Sequence, residues 1–352
     1  MYLHSLYLKN FRLYTEKSVA FAPNVNVIIG PNASGKTTIL EAIHLLMTGR
    51  SFRTSQIKEL IREGTDSFYT EVTFIKHHVE QSLKLSYKGN ERKIIYNQTI
   101  LQSSSGLLGL LQGTVLTPND ASLVKGQPGF RRQFLDMQLS QADPLYVHHL
   151  SRYYRAMAQR NHLLRAKTTH SIEMWEKEMV NSGVYLVESR AQAIAELSEI
   201  GDHFYIMLSN SAERFNLDYQ TFLKKECIEK ADTYYQEQLQ RHRPREMAIG
   251  NTLIGPHRDD FTVYLQNKEA RYFASEGQQR SCAVALRLAE WERLKRRGEA
   301  IPIMLLDDIG FGLDSTRRKH LLSIIQSLKQ VFISTTEGLP FGLPSDSTVI
   351  QN

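Results

Sequence analysis

Gly30-Pro31-Asn32-Ala33-Ser34-Gly35-Lys36-Thr37-Thr38 is the stretch on which the reading of this chain turns. It has the form G-x-x-x-x-G-K-T. Apolar Val25-Asn26-Val27-Ile28-Ile29 precedes it, and Ile39, Leu40, Ile43, Leu46 and Met47 follow at helical spacing. Strand, glycine-rich turn and helix make the setting in which this pattern cradles phosphate. Glycines let backbone N–H groups turn inward around an anion, and the N-terminus of the new helix adds positive partial charge. Lys36 would reach the phosphates as a point charge, and the Thr37 hydroxyl would hold Mg²⁺. A chance match in a glycine-containing turn is the bland alternative, and the two flanking elements weigh against it.

Around this loop the chain has 352 residues, room for one large domain or two to three small ones. No apolar run approaches the roughly 18 residues of a membrane span, and residues 1–12 show no signal-peptide pattern. Cys227 and Cys282 are the only cysteines; they suggest neither a disulfide framework nor a zinc site and fit a cytoplasmic protein. The +6 net charge suits a polyanionic partner without requiring one.

The texture divides the chain in three. Residues 1–130 read as strand-rich with one major helix, ending at Gly49. Alternation marks strands around Leu6 and Leu8, from Ser18 to Phe21, from Phe68 to Phe74, from Ser82 to Tyr87 and from Lys93 to Tyr96. Residues 131–245 read as an α-helical insertion, with runs from Gln133 to Gln141, from Leu145 to Ala166, and from Ile172 through Glu199 toward Phe215. In the second run Leu145, His149, Arg152 and Ala156 share a face with Tyr153. Residues 246–352 resume the α/β pattern, with strands at Phe261 to Leu265, Ile303 to Leu306 and Val331 to Ser334.

Two further segments carry chemistry. Ile303-Met304-Leu305-Leu306 is apolar throughout, as in a strand buried on both faces, and Asp307-Asp308 ends it. Asp307 would fix Mg²⁺ beside the phosphate loop, and Asp308 would polarise an attacking water. A turn-forming Asp pair is the alternative. Ser275-Glu276-Gly277-Gln278-Gln279-Arg280 opens a helix at which Ser275 can cap and present an anion site; a well-capped helix needs no further role. Candidate DNA contacts are Arg152, Arg155, Arg160, Arg165, Lys167, Arg241, Arg243 and Arg245, with Tyr153 and Tyr154 among them for stacking; solvated faces are the usual fate of such charges. A small-molecule kinase or a transporter motor could share the loop and the aspartates, but neither explains the segment at Ser275.

The order of these parts resembles the SMC-like branch of ABC-type ATPases, and more closely the RecF family. The likeness rests on the L-x-L-x-N-F-R strand, Ser51-Phe52-Arg53, Leu116-Thr117-Pro118-Asn119-Asp120, Arg131-Arg132-Gln133-Phe134-Leu135-Asp136, Gln159-Arg160-Asn161, and Thr252 to Phe261 with its Gly255-Pro256-His257-Arg258-Asp259-Asp260. It implies an ABC-type P-loop ATPase head, a mixed sheet with flanking helices, interrupted by the helical insertion. It also implies an ATP-dependent homodimer with each nucleotide between Lys36 of one copy and Ser275 of the other, slow hydrolysis that opens the dimer, and binding of single-stranded or gapped DNA. RecR and RecO are the partners it implies, in replication-gap repair and the SOS response. Two positions depart from the family pattern, Gly312 replacing an acidic residue and Asn119 replacing a glutamate; Ser334-Thr335-Thr336 stands where transport ATPases place a switch histidine, an absence that agrees with the family and argues against a transporter.

Overall fold

The computed structural model describes residues 1–308, 313–336 and 347–352. Gly312 lies outside them. The chain divides into two compact units: Met1–Ala121, Ile200–Arg214 and Ala274–Asn352 form the first, and Ser122–Glu199 and Phe215–Phe273 the second.

The first unit is built on two sheets. One is antiparallel, in the order Tyr14–Ala20, Tyr2–Phe11, Ser67–Lys76, Val79–Lys88, Glu91–Tyr96, Thr99–Ile100. The other is parallel, in the order Thr348–Gln351, Val25–Ile29, Val331–Thr335, Ile303–Leu306, Gly113–Leu116. The helix Lys36–Thr48 packs in the same core as both. Its Ile39, Leu40, Ile43 and Leu46 join Leu6, Leu8, Val72 and Leu85 from one sheet and Ile28, Val115, Leu305 and Phe332 from the other. Every residue of this helix except Thr37 is buried. A helix that is apolar nearly all round is a core helix, and its few polar groups must find partners inside. They do: Thr48 Oγ1 donates to the His44 carbonyl at 2.8 Å, and His44 Nδ1 lies 2.8 Å from the Arg50 carbonyl oxygen.

The second unit has its own core. Tyr146, Tyr153 and Ala156 of the helix Pro144–Arg165 pack with Met179, Val180 and Val187 of Ile172–Ser209 and with Tyr235 and Leu239 of Ala231–Ile249. It also holds a three-stranded antiparallel sheet, in the order Lys268–Glu269, Asp260–Leu265, Phe215–Gln220.

That sheet explains why the units differ from the boundaries read in the sequence. Phe261 stands opposite Tyr219 and Val263 opposite Leu217, so residues 246–273 group with the second unit rather than with the C-terminal half of the head. Ile200–Arg214 groups with the first unit. The long helix stops at Ser209, where Asn210 turns left-handed (φ 48°), and Phe215 opens a strand rather than continuing the helix. The face of Pro144–Arg165 also differs from expectation. Tyr146, Tyr153, Ala156, Arg160 and Leu164 are buried, whereas Leu145 and Arg152 are exposed. No helix among the described residues is long and apolar enough to cross a membrane.

Candidate nucleotide site

The loop begins where Val25–Ile29 leaves the parallel sheet and ends where Gly35 starts the buried helix. Gly35 has φ 105° and Ala33 φ 64°, both left-handed. Gly35 occupies the N-cap position, and no side chain caps this helix. The first N–H groups of a helix have no acceptor within it, so this N-terminus presents bare donors to whatever lies before it.

A cavity of about 350 Å³ opens there. Asn32, Ala33, Gly35, Lys36, Thr37 and Thr38 of the loop line it, together with Leu13, Arg53, Asp308, Ser334, Thr335 and Thr336. Lys36 is buried, and its Nζ donates to the carbonyls of Gly30 at 2.8 Å and Pro31 at 2.7 Å. Among the described residues no carboxylate pairs with it. Carbonyl dipoles only partly compensate an ammonium drawn out of water, so the site retains an attraction for an anion. Ser34 Oγ is also buried without a partner among the described residues.

Asp307 follows the buried strand Ile303–Leu306, and the structure brings it to the phosphate loop. Thr37 Oγ1 donates to Asp307 Oδ1 at 2.8 Å, and Ser334 Oγ donates to the same oxygen at 2.7 Å. Ser334 in turn accepts from the Asp308 backbone N–H at 2.9 Å. Asp308 is exposed and left-handed (φ 54°) at the cavity wall. Ser334 therefore positions both aspartates. Hydroxyl and carboxylate oxygens side by side are the donor set that suits a hard cation such as Mg²⁺.

A second cluster supports the cavity from inside the helix. Glu41 is wholly buried, and its carboxylate accepts from Arg12 Nε at 3.0 Å and Nη2 at 2.7 Å, from Ser51 Oγ at 2.5 Å and from Arg53 Nη1 at 3.3 Å. It thereby holds the cavity-lining Arg53. Sequence reading singled out Ser51 and Arg53 but passed over Glu41; a lone carboxylate inside an otherwise apolar helical run was the available signal. His44, one turn on, is pushed down to about 4 by burial.

Ser275 lies elsewhere in the first unit and does not line the cavity. It caps the helix Glu276–Arg297 through a capping box: Ser275 Oγ accepts from Gln278 N at 3.3 Å, while Ser275 N donates to Gln278 Oε1 at 2.8 Å. The hydroxyl is exposed. The same helix is tied to the Asn119 segment. Arg287 Nε donates to Asp120 Oδ1 at 2.9 Å, and Asp120 Oδ2 accepts from Thr117 N at 2.6 Å. Asn119 is exposed, so its departure from the family pattern leaves the structural carboxylate in place.

Among the DNA candidates of the second unit, Arg160 is contradicted as a surface contact. It is fully buried, and its guanidinium donates to Glu176 at 2.9 Å, Glu246 at 2.6 Å and Thr252 Oγ1 at 3.0 Å. Tyr153 is also buried, with its hydroxyl 2.6 Å from His257 Nδ1. Burial holds His257 down to about 4. Arg243 pairs with Glu176 and Arg152 with Glu178. Arg155, Arg165, Lys167, Arg241 and Arg245 are exposed, Arg165 donating to the Gly250 carbonyl at 3.3 Å, and Tyr154 is exposed as well.

Comparison with known proteins places these features in a family. The family described as RecF/RecN/SMC N terminal domain matches residues 2–339. The DNA replication and repair protein RecF of Protochlamydia amoebophila (strain UWE25) is 50% identical over 339 residues, covering 96% of this chain and 94% of that protein. The protein of the same name from Chlamydia abortus is 38% identical, covering 96% and 92%. The solved structure of the recombination mediator protein RecF-ATPrS in the RecFOR pathway superposes with a TM-score of 0.89 at 28% identity, covering 98% of this chain and 94% of that one. The Smc head domain of Pyrococcus furiosus shares the fold, with a TM-score of 0.57 at 16% identity. With an ABC-type ATPase head, a bare phosphate loop joined to Asp307, and likeness along nearly its whole length, the chain belongs to the RecF family of DNA replication and repair proteins.

Proposed function

We propose that this chain is an ATP-dependent DNA-binding switch of recombinational gap repair. The observation that carries the reading is Lys36: a buried ammonium compensated by two loop carbonyls, facing a cavity beside Thr37 and Asp307. Gly30, Pro31, Asn32, Ala33, Ser34, Gly35, Lys36, Thr37 and Thr38 would wrap the phosphates of ATP, with Lys36 turning from the carbonyls to the anion. Thr37 and Asp307 would hold Mg²⁺, which neutralises phosphate charge when bound. Asp308, at the cavity wall, is the carboxylate that would take the proton of an attacking water.

Ser275 is exposed on its capped helix and apart from the cavity of its own chain, which suits contact with the nucleotide of a second copy. ATP would then favour a closed homodimer because its contacts are complete only in that state, and slow hydrolysis would release it. Arg155, Lys167, Arg241 and Arg245 remain as candidate contacts to single-stranded or gapped DNA. The solved relative belongs to the RecFOR pathway, which supports RecR and RecO as partners here, in the cytoplasm.

The test is DNA binding and sedimentation with ATP, ADP and a non-hydrolysable analogue, for the wild type and Ser275→Arg. ATP and the analogue should produce a dimer with raised DNA affinity, and Ser275→Arg should bind nucleotide as a monomer. An ATP-independent oligomeric state, or dimerisation by Ser275→Arg equal to wild type, would defeat the switch.

A further inference from the structure

The phosphate loop carries two left-handed residues, and only Gly35 adopts that shape freely. For Ala33 it costs about 1 kcal/mol. Such conformations persist where their surroundings over-determine them, so the loop needs neighbours that fix it from outside the cavity.

Two residues far apart in sequence meet that need. Asn352 Nδ2 donates to the Ser34 carbonyl at 2.8 Å, in the crest of the loop between Ala33 and Gly35. The Asn352 backbone N–H donates to the Ile29 carbonyl at 2.9 Å, at the loop's entry. One residue thus grips the loop at its entry and at its crest. The orientation of its amide is fixed in turn, because Tyr14 Oη donates to Asn352 Oδ1 at 2.7 Å. Tyr14 opens a strand of the antiparallel sheet, and Asn352 follows the edge strand Thr348–Gln351 of the parallel sheet. Contact is close on both sides. A Cβ at Gly30 would lie 2.3 Å from the Asn352 carbonyl oxygen, and one at Gly35 would lie 2.5 Å from Tyr14 Oη. The two glycines of the motif are therefore required by these neighbours as well as by the anion.

We infer that Asn352 and Tyr14 form a clamp that holds the phosphate loop in its anion-ready shape, Asn352 acting as a positioning residue for nucleotide binding. This deepens the nucleotide reading above and rests on it. Neither residue lines the cavity, so neither acts by touching the phosphates. The clamp keeps the ordering of the loop from being charged against binding, which is how preorganisation raises affinity.

The experiment uses the full chain with Asn352→Ala and Tyr14→Phe, and reads amide hydrogen exchange without nucleotide alongside titration with a non-hydrolysable ATP analogue. Asn352→Ala should speed exchange at residues 32–36 and weaken the analogue roughly three- to tenfold, the worth of one or two hydrogen bonds. Tyr14→Phe should give a smaller change of the same kind, because the amide keeps its bond to Ser34 but loses its orientation. In turnover the loss should fall on KM more than on kcat. Wild-type exchange at the loop in Asn352→Ala overturns the clamp, as does exchange that rises evenly over the whole unit. Should wild type itself fail to bind the analogue, the nucleotide reading fails, while the exchange data still decide whether the clamp exists.

Discussion

Two helices of the first unit begin in opposite ways. Lys36–Thr48 starts at Gly35 with no side-chain cap, inside the core, and faces a cavity. Glu276–Arg297 starts at Ser275 with a complete capping box, and that start is exposed. The first leaves its N–H groups for a ligand. The second satisfies the Ser275 and Gln278 N–H groups through its capping box and still presents a hydroxyl. In the proposed function the uncapped start beside the incompletely compensated lysine is the primary anion site, and the capped start would serve as the second face of a shared one.

The contrast breaks most readily at Lys36. Lys36→Ala should weaken ATP about a hundredfold or more, the loss of a charge-assisted phosphate contact in a partly dry site, while chemical unfolding changes by less than about 1 kcal/mol. Titration beside a denaturant melt checks both halves; near-normal ATP affinity would show that the bare helix start suffices without the ammonium.

His44 tests whether the bare helix is as deeply buried in solution. Its ring stays neutral in the folded chain down to about 4, against 6.5 in the unfolded chain. Between these values the unfolded state binds more protons. The stability His44 contributes is therefore complete above about 6.5 and is lost as pH falls toward 4, by roughly 2–3 kcal/mol. Unfolding followed from pH 7 to 4 should show that slope on top of the one from His257, and His44→Gln should reduce it by the His44 share. Equal slopes would place the ring in water.

At the capped helix the expected effects are smaller. Ser275→Ala should cost about 1 kcal/mol of stability through loss of the cap, leaving ATP affinity measured on the monomer unchanged. Asn119→Glu, which restores the family's acidic residue, should change stability by less than about 0.5 kcal/mol, because Asp120 is the residue that holds Arg287. A larger gain in the melt would mean that a second carboxylate also reaches this helix.

What could be read in advance was local. The phosphate loop, its strand and its helix lie within 25 consecutive residues, and the run Ile303–Leu306 announces Asp307 by composition alone. The rest of the parallel sheet was hidden, since Gly113–Leu116 and Thr348–Gln351 are four-residue strands, too short to show a period. The buried face of Pro144–Arg165 was misjudged because Arg160 counts as polar in any pattern. It enters the core only because Glu176 and Glu246, 16 and 86 positions away, arrive to neutralise it. Glu41 escaped notice for the same reason: its partners Arg12, Ser51 and Arg53 come from segments on either side of the helix.

The enclosure of Lys36–Thr48 has a mechanical consequence. A rod wedged between two sheets, with only Thr37 reaching the surface, has no free side on which to roll or tilt. A nucleotide bound as proposed would therefore meet a fixed tip. In the proposed switch, any motion that follows binding would fall to parts with looser seating, and mutations that open a void around Ile43 or Leu46 should loosen this helix before they unfold the chain.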